Sequence, residues 1–249
     1  SPGITADGVT DPAALAEAHA AASQARSYTM ELEDIRRDGS LELRSALALD
    51  LSLAADRDYL AVVSTAGPEA PLVLGRPPAT SVYWSDGEQY YVDHQPDAWA
   101  GVSSFRPLRG WVGTWRYWSH VFAFGGRIDS APEDYFRSLF AAVPLRLVDR
   151  HETQDEQRYW LTGQSAEPIS PPSELAGSDH RHIEVTAVVD GAGMVRSHDV
   201  RYRARFDGDE GSVRRSIAYT SVGETTVDRP AWTLSAAPAL STRGAMTDE

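Results

Sequence analysis

Ser27–Ser64 reads SYTMELEDIRRDGSLELRSALALDLSLAADRDYLAVVS, and its period decides the fold. From Tyr28 onward apolar and polar residues alternate, which sends successive side chains of an extended chain to opposite faces. Asp38-Gly39 breaks the alternation with a pair suited to a tight turn, so the stretch predicts a hairpin, with a third strand from about Tyr59. The device recurs in SVYWSDGEQYYVDHQ around Asp86-Gly87. Strands with one buried and one wet face are antiparallel in character, and consecutive hairpins of this kind predict a meander.

Upstream, TDPAALAEAHAAASQARSY offers Thr10 or Asp11 as a cap, Pro12 in the first turn and helix formers to about Ala25. Its apolar side is Ala with Leu15, which predicts close packing on a sheet. The alternation lapses between about Pro96 and Leu147, where APEDYFRSLFAAVPL predicts a short helix opened by Pro132, Glu133 and Asp134. Strands then return in LRLVDRHE, QRYWLTGQS, HIEVTAVVD, MVRSHDVRYRARFDGD and SVRRSIAYTSVGETTVD, with hairpin turns at Gly191–Gly193 and Gly208–Gly211. The class is α+β with an antiparallel sheet. Residues 1–10 are expected as an extended N-terminal tether, 11–230 as a single domain and 231–249 as a flexible tail.

All 23 basic residues are Arg, against 36 Asp and Glu, for a net charge of −13. An acidic surface keeps its hydration when concentrated salt shortens the screening length to about 3 Å, and Arg suits partly buried pairs. The skew reads as adaptation to high salt. The same charge repels nucleic acid phosphates, so no nucleic-acid partner is expected. Without Cys there is no disulfide, thiolate metal site or Cys nucleophile. No run of about 18 apolar residues suggests a membrane-spanning helix, and SPGITADGVTDP lacks the features of a signal peptide.

Gly110–Gly126, GWVGTWRYWSHVFAFGG, concentrates rings: Trp111, Trp115, Trp118 and Phe122 fall at spacings of four, three and four, with Phe124 following. That is one stripe of a helix. Full burial of such a side chain is worth roughly 1.5–3 kcal/mol, so leaving four in brine is costly. The rings could fill a core, line a cavity for an apolar ligand, or lie on a membrane or a partner protein. In the cavity reading Trp84, Tyr90 and Trp160 form the opposite wall.

Candidates for chemistry are sparse. In SDHRHIE, residues His180, His182 and Glu184 would share a strand face at i, i+2 and i+4, a weak candidate for holding Zn²⁺. His198 and Asp199 are strand neighbours that point to opposite faces and cannot form a dyad, and no Gly-x-Ser-x-Gly elbow accompanies them. Arg201, Arg203 and Arg205 share a face, a row that could hold an anion and is expected rather to pair with acidic residues on neighbouring strands. No carboxylate pair stands out for glycoside hydrolysis. Neither an enzyme nor a cofactor is expected, with a metal-dependent or glycoside hydrolase the remaining catalytic alternatives.

Three segments, GITADGVTDPAALAEAHAAA…SYT, VVDGAGMVRSHDVRYRA and RRSIAYTSVGETTVDRPAW, resemble uncharacterised secreted lipoproteins of halophilic archaea. In element order that family is distantly similar to the half-barrel, LolA-like lipoprotein carriers. The resemblance implies a curved antiparallel sheet, a half-barrel, with the N-terminal and middle helices over its concave face. It also implies an exported surface protein, anchored to the membrane only through a lipidated Cys upstream of this sequence. The expected activity is binding of a lipid or other apolar molecule between sheet and helices. The alternative is a structural or adhesive surface protein that self-assembles or binds a protein partner.

Overall fold

The alternation between Ser27 and Ser64 becomes three strands of one sheet in the computed structural model, which describes residues 1–70, 80–94, 101–105, 114–124, 132–153, 156–166 and 175–235. A short pair, β1 (Ile4–Thr5) and β2 (Gly8–Val9), precedes helix α1 (Pro12–Ala25). Strands β3 (Tyr28–Asp38), β4 (Leu43–Leu53), β5 (Tyr59–Ala66), β6 (Thr80–Ser85), β7 (Tyr90–His94) and β8 (Gly101–Phe105) follow. After a helical segment around Tyr117–Phe122 come α2 (Pro132–Ala142), β9 (Arg146–Glu152), β10 (Gln157–Ser165), β11 (Ser178–Asp190), β12 (Val195–Phe206) and β13 (Asp209–Thr220).

Eleven of these strands form one open antiparallel sheet in the order β8-β7-β6-β5-β4-β3-β13-β12-β11-β10-β9. It consists of two meanders fused where β3 pairs with β13, Leu32 opposite Ile217. The helical segment and α2 lie in the chain between β8 and β9, the two edge strands, and they pack on the same face as α1. This is the expected α+β half-barrel. Its helix-covered face carries Met30, Leu32, Leu49, Leu51, Ala61, Val63 and Ile217, and the opposite face carries the polar residues that alternate with them.

Local chemistry explains the elements. Asp11 caps α1 through its side chain, which accepts from the Ala14 N–H at 3.0 Å, with Pro12 in the first turn. Helix α1 buries Leu15, Ala16 and Ala20, and its close backbone approach is to α2 and not, as expected, to a strand of the sheet. His19 fixes its position: the Val195 N–H donates to His19 Nδ1 at 3.1 Å. The turn Asp38–Glu42 is tied by Asp38 Oδ1, which accepts from Ser40 and Glu42. Asp86 and Asp190 serve the same purpose in the hairpins they open.

Residues 1–10 differ from the expected extended tether. They fold back as the β1–β2 pair, with Ile4 opposite Val9. The Val9 N–H donates to the Leu145 carbonyl at 2.9 Å, and the Ser1 ammonium donates to the Tyr159 hydroxyl at 3.2 Å. Gly8 permits this, because at φ 123° a Cβ there would lie 2.1 Å from the Leu145 carbonyl oxygen. At the other end, Ala231–Ser235 forms a 3₁₀ turn with Thr233 buried, and the rest of the expected tail lies outside the described residues.

Candidate functional site

Between the sheet and its helices lies an aromatic layer. The helical segment contains a π-helical turn, Tyr117–Phe122, whose wider winding turns Trp118, Ser119 and His120 inward together. Trp118 is 1% exposed and its ring centroid lies 4.6 Å from that of Tyr83 on β6. Phe124 is buried against Tyr135 and Phe136 of α2 at 5.1 and 5.5 Å, and Phe136 continues to Phe140 and to His19 of α1. On the sheet side, Tyr59 faces Ser85 and Ser85 faces Tyr90 across neighbouring strands. All three lie on the covered face.

The layer is dry enough to hold its ionisable groups neutral. Burial, with the nearby His120 second, lowers the His19 pKa to about 3. Burial, then the charges of Arg215 and His19, lowers His198 to about 3. His120 falls to about 4 through burial and then Arg116. The Tyr28 hydroxyl is pushed up to about 12 by burial, and Tyr59, Tyr202 and Tyr219 shift upward for the same leading reason.

The ligand-binding residues read from the sequence separate into groups. Trp118, Phe124 and Tyr90 lie in the layer and share one packed cluster. Trp115 is half-buried at its rim, with the Arg57 guanidinium 4.9 Å from its ring centroid while Arg57 also donates to the Gln24 and Arg26 carbonyls at the end of α1. Trp111 lies outside the described residues, as does the Phe122 side chain, whose backbone ends the π turn. Trp84 and Trp160 are not part of the opposite wall. Trp84 pairs across strands with Leu60 and Tyr91, one register step from the inward Tyr83, and the Arg229 guanidinium covers it at 5.3 Å on the uncovered face. Trp160 sits between inward Tyr159 and Leu161. It lines a groove of about 730 Å³ on the uncovered face with Val148, Val188, Glu31 and Asp50.

The proposed sharing of one face by His180, His182 and Glu184 is also overturned. Irregular pairing between Ser178 and Glu184, with left-handed backbone at Asp179 and His182, breaks the two-residue period. His180 turns inward beside the Ala176 carbonyl and the Tyr202 ring, whereas His182 and Glu184 remain on the uncovered face. Among the described residues no three His, Asp or Glu side chains are grouped to hold a metal ion. Two of the arginine row pair across strands as expected, Arg203 with Glu210 and Arg205 with Asp179, whereas Arg201 meets Asp199 of its own strand, which also bridges to Arg214, at 2.8 Å each.

Sequence reasoning passed over a polar cluster buried in the covered face. Asp34 and Arg215, from the paired central strands, form an ion pair at 2.9 Å with side chains 8% and 7% exposed. Arg36 donates to the other Asp34 oxygen at 3.0 Å. His198 Nε2 lies 3.2 Å from the Tyr135 hydroxyl, and that ring stands 5.9 Å from the Arg215 guanidinium carbon. Parity was the available signal: Arg215 falls in step with Val213 and Ile217, Asp34 with Met30 and Leu32, and His198 with Val200 and Tyr202.

No protein family matches the chain, and no curated protein is similar to it in sequence. Among solved structures it is similar to LprF from Mycobacterium bovis, at 9% identity over 87% of this chain and 94% of that one, TM-score 0.38. It is likewise similar to the lipoprotein LppX of Mycobacterium tuberculosis, at 11% identity over 87% and 97%, TM-score 0.42. A LolA-superfamily protein from Nitrosomonas europaea aligns at 8% identity over 87% and 93%, TM-score 0.26. At such identities and TM-scores the likeness carries no functional argument.

Proposed function

We propose that this chain is a non-enzymatic, extracytoplasmic surface lipoprotein of a halophile that binds a lipid or other apolar molecule between its sheet and its helices. The observation that carries the reading is the aromatic layer, in which a π-helical turn sets Trp118 against Tyr83 and delivers Phe124 to α2. π-Helical turns are uncommon and concentrate at functional sites. Predominantly apolar walls with few polar groups are the character of a lipid site. Histidines held neutral and an Asp34–Arg215 pair locked together suit holding a ligand better than moving protons. The halophile assignment rests on 36 acidic residues against 23 Arg and no Lys. The surface location rests on the motif resemblance at the two ends of the chain. No helix among the described residues is long and apolar enough to cross a membrane.

The test is native mass spectrometry of protein purified from its own host in high salt, followed by organic extraction. The expected result is a stoichiometric apolar adduct on a monomer, recovered in the extract. A bare monomer with nothing extractable contradicts ligand carriage. Discrete oligomers without an adduct turn the assignment to a self-assembling surface protein.

A further inference from the structure

Arg215 is buried in the covered face with two donors unused. Its Nη1 serves Asp34, but Nε and Nη2 have no hydrogen-bond partner. Those two N–H groups lie on one edge of the guanidinium and point the same way, which is the fork that receives two oxygens of one oxyanion. Asp34 does not supply them: one of its oxygens accepts from Arg215 Nη1 and the other from Arg36. Beside the fork, His198 Nδ1 also lacks a partner. A buried polar group without a partner is strongly unfavourable, and a buried guanidinium more so.

Among the described residues Asp34 is the one carboxylate acting on Arg215. The groups facing Arg215 are Asp34 on β3, His198 and Tyr202 on β12, Tyr219 on its own strand and Tyr135 on α2, with Arg36 on the other oxygen of Asp34 and His19 of α1 acting on His198. With the histidines and tyrosines neutral, Arg215 shares its one carboxylate, Asp34, with Arg36, whose side chain is partly exposed and also feels Glu69. The cluster is also continuous with the aromatic layer, because Tyr135 touches Phe124 on one side and stands over Arg215 on the other.

We propose that the ligand is an anionic amphiphile whose headgroup, a carboxylate or the paired oxygens of a phosphate, is received by Arg215 Nε and Nη2 while its apolar chain lies in the aromatic layer. This rests on the apolar-ligand reading and adds the chemistry of the head. One monoanion satisfies both open donors.

The probes are oleate and oleyl alcohol, which share a chain and differ in the head, titrated against the whole protein by calorimetry below their aggregation limits. Oleate is expected to bind about tenfold to a hundredfold more tightly, the worth of a charge-assisted hydrogen bond at a buried site. Arg215→Lys keeps the charge beside Asp34 but removes the fork, and is expected to bring the two affinities together while leaving oleyl alcohol unchanged. Equal binding of both by the parent protein, or an undiminished oleate preference in Arg215→Lys, overturns the headgroup assignment and leaves the apolar-ligand reading standing. Binding of neither overturns both. Inorganic phosphate and acetate form the remaining arm: if either displaces oleate at equal concentration, the fork is a free-anion site and the amphiphile assignment fails.

Discussion

Acidification from pH 7 to pH 4.5 in 1 M NaCl is expected to destabilise the protein steeply. His19 and His198 are buried neutral, with pKa values lowered to about 3 against 6.5 in an unfolded chain. Between those values the unfolded chain binds more protons than the folded one, so stability rises with pH across this window. It is complete above pH 6.5 and is lost as pH falls towards 3. At pH 4.5 the two histidines together remove on the order of 5 kcal/mol, comparable to the whole stability of many domains. His120, lowered to about 4, acts in the same direction. High salt keeps the relief of acidic self-repulsion from masking the slope. Urea titrations at half-unit pH steps are expected to give a slope approaching three protons near pH 5, one from each of the three histidines, reduced by about one in His198→Gln. A stability that is flat from pH 6.5 to 4.5 contradicts the buried neutral state.

Asp34→Ala is the second large effect. It removes the counter-charge bonded to Arg215 at 2.9 Å inside the covered face and leaves a buried guanidinium uncompensated, at a loss of about 3–5 kcal/mol. The companion variant Asp34→Leu with Arg215→Met replaces both charges by apolar side chains, and recovers most of that loss because desolvating the pair is itself unfavourable. Denaturant midpoints at pH 7.5 measure both. A single variant within 1 kcal/mol of the parent, or a double variant no better than the single, places the pair in contact with water and contradicts the burial described.

The strand plan was legible because nothing competes with it: Tyr28, Met30 and Leu32 alternate with polar residues, and Asp38, Asp86 and Asp190 each close a turn through their own side chains. Legibility failed where neighbours are both aromatic. Tyr83-Trp84 and Tyr159-Trp160 satisfy either register, and the face was settled by partners remote in sequence, Ala61 for Tyr83 and Val189 for Tyr159. It failed again where backbone irregularity resets the period, as His182 does in β11 at φ 49° and as the π turn does for the rings after Trp115. The hairpin at residues 1–10 depends on Gly8 approaching Leu145, a contact no local pattern announces. The buried Asp34–Arg215 pair keeps the parity of an apolar stripe, but polar residue types at those positions suggested the wet face.

The most direct test of an apolar ligand lying between sheet and helices is photo-crosslinking with a diazirine-bearing fatty acid, followed by peptide mapping. Saturable labelling is expected in the helical segment around Tyr117–Phe124 and at inward positions of β5 to β7, among them Tyr59, Tyr83 and Tyr90. Labelling confined to the uncovered face, in the groove beside Trp160 and Val148, or no saturable labelling at all, contradicts the account.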